Sequence, residues 1–82
     1  METSYEVYEW LDRVLPPQVY RDSAQQAYDA GEPECAVADL LDEALYEDVV
    51  TPEILRRVKI EYPSDPVVGP IIELCERQIN VN

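Results

Sequence analysis

The chain has 82 residues, with eighteen acids against six bases for a net charge of −12, and it contains no His and no Phe. Lacking imidazole, it has neither the commonest metal ligand and proton shuttle nor the base of a Ser/His or Cys/His nucleophile system, and its charge opposes direct contact with nucleic acid or anionic lipid while favouring a basic protein partner. A chain of this length fills one domain, residues 1 to 82, whose core must be modest and, with one Trp and six Tyr, mainly aliphatic.

In chain order, Thr3 followed by Glu6 fits a capping box, and Val7, Trp10, Leu11 and Val14 share one helical face, so a first helix is predicted from Ser4 to Leu15 with Trp10 at the edge of the core. Pro16 and Pro17 end it. Pro17 can start a second helix, whose face of Val19, Tyr20, Ser23, Ala24, Ala27 and Ala30 allows close approach, with Gly31 as its left-handed cap. The third helix opens at Pro33, beside Glu32 and Glu34 at its positive end, and stops near Asp48. Val37, Leu40, Leu41, Ala44 and Leu45 form its apolar stripe. Thr51 and Pro52 read as the cap and first residue of a fourth helix, running to Tyr62, with Ile54, Leu55, Val58 and Tyr62 inward and Arg56, Arg57 and Lys59 mostly outward. Pro63, Pro66 and Pro70 predict an irregular connection with a short turn near Val67. Ile71, Ile72, Leu74, Cys75 and Ile79 describe a last helix that frays over residues 80 to 82. Every periodic segment is helical, which predicts an all-α fold, a compact bundle of four or five short helices.

Charge is distributed unevenly along these elements. Residues 22 to 55 hold ten acids and no base, whereas residues 56 to 82 hold four of each. On the third helix, Asp39, Asp42, Glu43, Tyr46 and Glu47 recur at the spacing of one outward face, the candidate partner-binding residues. A run of carboxylates has two readings, a solvated helix face or a surface for a basic partner. Tyr46 likewise either covers the core edge with its largely apolar ring or anchors an interface.

No calcium-loop pattern or zinc-ligand spacing occurs, so no metal and no cofactor is expected. Cys35 and Cys75 are read as free structural thiols, one disulfide being the alternative. Paired carboxylates for glycoside chemistry need a cleft that so small a domain rarely forms, and no enzymatic activity is expected. No apolar run reaches the roughly 18 to 20 residues of a membrane span, and the N-terminus lacks the pattern of a secretion signal, so a cytoplasmic location is expected.

The segment Asp29-Ala30-Gly31-Glu32-Pro33-Glu34, then Ala36 and Ala38, then Leu40-Leu41-Asp42-Glu43-Ala44-Leu45-Tyr46-Glu47, followed by Thr51-Pro52-Glu53-Ile54, resembles the central part of MafI-type immunity proteins of bacterial polymorphic toxin systems. The resemblance covers residues 28 to 62, and the proline-rich stretch after it departs from the family pattern. It implies a small helical protein that binds and blocks one cognate toxin domain inside the producing cell, without chemistry of its own. The acidic balance adds that the toxin is basic, as nucleases are where they meet phosphate. The alternative is a small acidic regulatory or nucleic-acid-mimic module that presents the same face to a DNA- or RNA-binding protein.

Overall fold

The computed structural model describes residues 3 to 81, the side chain of Val81 excepted, and consists of five α-helices. They are α1 (Ser4–Val14), α2 (Asp22–Asp29), α3 (Pro33–Tyr46), α4 (Pro52–Glu61) and α5 (Gly69–Val81). Helix α3 is the hub: it packs against α1, α2 and α5, while α4 packs on α5. The reason lies in its composition, since Val37, Leu40, Leu41 and Ala44 are fully excluded from solvent and Ala36 extends the buried arc toward α2. Leu45, by contrast, is only half-buried at the margin.

Local chemistry sets the helix ends. Thr3 and Glu6 form the expected reciprocal box, Glu6 N–H donating to Thr3 Oγ1 at 3.2 Å and Thr3 N–H to Glu6 Oε1 at 3.0 Å. These bonds hold the Glu6 carboxyl below the usual carboxylate pKa, because they favour its charged form. After α2, Gly31 adopts φ 80, and the N–H groups of Glu32 and Gly31 return to the carbonyls of Ala27 and Tyr28 at 2.9 and 3.1 Å, a Schellman end. The same motif ends α3 with Asp48 at φ 58, a conformation aspartate tolerates better than most residues. Thr51 caps α4 by accepting from Ile54 N–H at 3.2 Å.

Several expectations change, among them Val14, which is 46% exposed at the end of α1 rather than on its buried face. Helix α2 begins at Asp22 rather than Pro17, and Arg21 just before it takes the carbonyls of Pro16 and Val19, two acceptors that a helix from Pro17 would use. Its guanidinium donates to the carbonyls of Asp12, Leu15, Pro16 and Val19 at 3.1, 3.2, 3.2 and 2.7 Å and pairs with the Asp12 carboxylate. One side chain thus satisfies the open end of α1 and fixes the turn that follows. Replacing Arg21 by Lys, which keeps the charge but loses the planar fork, is expected to lower stability by about 1.5 to 3 kcal/mol, read as a fall in the denaturation midpoint; an unchanged midpoint would mean that water serves these carbonyls equally well.

A further change is that α5 starts at Gly69, two residues before the apolar pattern, because Asp65 accepts from the N–H groups of Val67 and Val68 at 2.8 and 2.9 Å and organises the turn. Residues 80 and 81 are helical, and Asn82 lies outside the described residues. Leu74 also faces outward, at 45% exposure, on the flank of the buried arc of Ile71, Ile72 and Cys75. Trp10 is half-buried and lies under the Arg57 guanidinium, 4.4 Å from its ring centroid, a cation–π contact that ties α1 to α4. No helix is long and apolar enough to cross a membrane among the described residues.

Candidate functional site

With its apolar side locked into the hub, α3 turns the opposite side outward. Asp39, Asp42, Glu43, Tyr46 and Glu47 share that side, as their spacing requires. They are unequal in exposure: Asp42, Tyr46 and Glu47 are exposed, whereas Asp39 and Glu43 are half-buried. Tyr46 is 85% exposed, which removes it from the core edge and leaves its ring standing in solvent among carboxylates. An aromatic ring so placed leaves most of its apolar surface wet, unlike Tyr8 and Tyr62, which are buried.

Neighbouring helices border the stripe. Asp39 accepts from the Ser23 hydroxyl of α2 at 3.1 Å. On the other flank Asp42 is close enough to Cys75 of α5 to add to the effect of burial, which pushes that thiol up to about 11. Cys75 therefore stays protonated at neutral pH and is a poor nucleophile. Both cysteines are free, Cys35 half-buried and Cys75 fully buried.

Four of the ten acids of residues 22 to 55, Asp39 among them, accept from neutral side-chain donors. Glu34 accepts from Ser4, Asp29 from Gln25, and Asp48 from Gln78 at 2.6 Å. The ion pairs among the described residues are Arg21 with Asp12 and Lys59 with Glu76, and neither uses a carboxylate of that stretch. Their negative charge is thus left to the solvent, and self-repulsion should make the protein less stable at low salt than at moderate salt, since screening at 0.1 M acts within about 10 Å. Thermal melts across a salt series check this; a melting temperature that falls steadily as salt is added would mean that the carboxylates are already compensated.

Among the described residues, no three His, Cys, Asp or Glu side chains converge in a way that could hold a metal ion. The arrangement offers no paired nucleophile and base, and what it can do chemically is present an aromatic ring ringed by negative charge. Sequence reasoning overlooked Ile60, which is 71% exposed on the outward side of α4. The signal was available, since Ile60 falls opposite the arc of Ile54, Leu55 and Val58 on the helix. No family model matches the chain, and neither a curated protein nor a solved structure matches it.

Proposed function

We propose that the outward face of α3 binds a basic protein, and that the chain is an immunity protein that neutralises a cognate toxin domain inside the producing cell. A nuclease is the toxin class that this charge fits best, because its phosphate-binding surface is basic. Tyr46 is the anchor, and Asp39, Asp42, Glu43 and Glu47 supply the complementary rim. The observation that carries the reading is the 85% exposure of Tyr46 on a carboxylate stripe that takes part in neither the Arg21–Asp12 nor the Lys59–Glu76 ion pair. The resemblance of residues 28 to 62 to MafI-type immunity proteins supports the same conclusion from the sequence side. Inhibition on this reading is by occupation, without a reaction of the inhibitor's own.

The test pairs the chain with the C-terminal domain of the large exported protein expected from the adjacent upstream reading frame. Co-expression should restore growth to cells producing that domain, and the purified pair should form a complex in which cleavage of nucleic acid stops. If the domain binds but kills undiminished, the chain is not its inhibitor. If the adjacent frame instead encodes a DNA- or RNA-binding regulator that forms the complex, the regulatory reading replaces this one.

A further inference from the structure

The α4 surface carries a second feature, opposite in character to the α3 face. Pro52, Leu55, Arg56, Lys59 and Ile60 follow the same spacing as the α3 stripe and, with Ile79 of α5 as the far wall, line a groove of about 440 Å³. Its floor is apolar, and Ile60 is 71% exposed within it. The charges that line it are positive: Arg56 is exposed and makes no ion pair among the described residues, while Lys59, half-exposed, is already paired with Glu76 at 2.6 Å and would share its charge with an incoming carboxylate. A continuous stripe over two helical turns is the shape into which another helix packs.

The occupant with the matching chemistry is α3 of a second copy. The two stripes have the same five-residue spacing, one offering carboxylates around an exposed tyrosine ring and the other cations around an exposed isoleucine and an apolar floor. We infer that the outward face of α3 docks into the α4–α5 groove of another copy, so that Tyr46 enters the apolar floor while Asp42 and Glu43 face Arg56 and Lys59. Two patches on one chain that fit each other make a contact that closes if it is formed twice about a two-fold axis. The net charge of −12 on each copy opposes this approach at low salt. At physiological ionic strength the screening length is about 8 Å, whereas the shortest extent of the molecule is 18 Å, so the distant charges are screened while groups in contact are not. Self-association then covers the α3 face, and a basic partner must displace it. The inference uses the same face as the proposed function but not the identity of that partner.

The experiment is sedimentation of the full chain over a concentration series into the millimolar range, at low salt and at about 0.15 M salt. The average mass should rise above that of the monomer with concentration, and more so at the higher salt. Ile60→Asp blocks the groove, and Asp42→Asn with Tyr46→Ala blocks the face; all three positions are exposed, and circular dichroism confirms that the helices remain. Each variant alone should stay monomeric, while their equimolar mixture, which still holds one intact face and one intact groove, should move toward twice the monomer mass. A wild type that stays monomeric throughout overturns the inference and leaves the reading of α3 as a surface for a basic partner untouched. A mixture that stays monomeric while the wild type associates, or an Ile60→Asp variant that associates as wild type does, also overturns it.

Discussion

Replacing Leu40 by alanine is expected to lower the unfolding free energy by about 2 to 5 kcal/mol, because the side chain is fully buried on the helix that joins α1 and α2 to α5. A domain of this size has roughly 4 to 12 kcal/mol in all, so one substitution removes a large share of it. In a denaturant titration the midpoint should fall with little change in slope. Leu74→Ala is the comparison, since a leucine at 45% exposure on α5 should matter by no more than about 0.5 kcal/mol unless α5 rearranges. If the two changes cost alike, α3 is not the centre of the packing and the outward direction of its acidic face loses its support. The same titration on Leu41→Ala, also fully buried, tests whether the effect belongs to the stripe or to one site.

The hub was readable because its signal is redundant. Val37, Leu40, Leu41 and Ala44 repeat over about two turns, so an error at one position cannot turn the helix, and all four are fully buried. The caps at Thr3, Gly31 and Thr51 were equally readable, since each combines a residue type with a fixed offset to the next element. What the pattern hid was tertiary. Arg21 looks like one more surface base, and only the fold shows its guanidinium closing the end of α1 just ahead of α2. Leu74 was misplaced because an arc defined by Ile71, Ile72 and Cys75 leaves its flank undecided, and whether a neighbour covers that flank is a property of packing. For the candidate site, periodicity placed Asp39, Asp42, Glu43, Tyr46 and Glu47 on one side, but it could not distinguish a half-buried Asp39, bonded to Ser23, from a fully wet Tyr46. That difference depends on how closely α2 and α5 approach α3.

The division of labour within this face leads to the second large expected effect, on binding to the basic partner proposed above. Asp42 is exposed and Glu43 is half-buried beside Tyr46, so they project charge toward an approaching protein. Reversing both to Lys should slow association and flatten its salt dependence, because complementary charge acts mainly on encounter. Tyr46→Ala should leave association nearly unchanged and speed dissociation, since it removes a ring that goes from 85% exposed in the free protein to enclosed in the complex. A hot-spot residue of this kind is worth about 2 kcal/mol or more, roughly thirtyfold in affinity. The control for net charge needs acids on other helices that no cation pairs. Glu76 is unsuitable because Lys59 holds it at 2.6 Å, so Glu61→Lys with Glu73→Lys, on α4 and α5, is the better pair. Surface plasmon resonance across a salt series separates the two rate constants. If the control pair slows association as much as the α3 pair does, steering comes from the whole molecule and α3 is not the site. If Tyr46→Ala dissociates at the wild-type rate, the tyrosine stays in solvent in the complex and the anchor lies elsewhere.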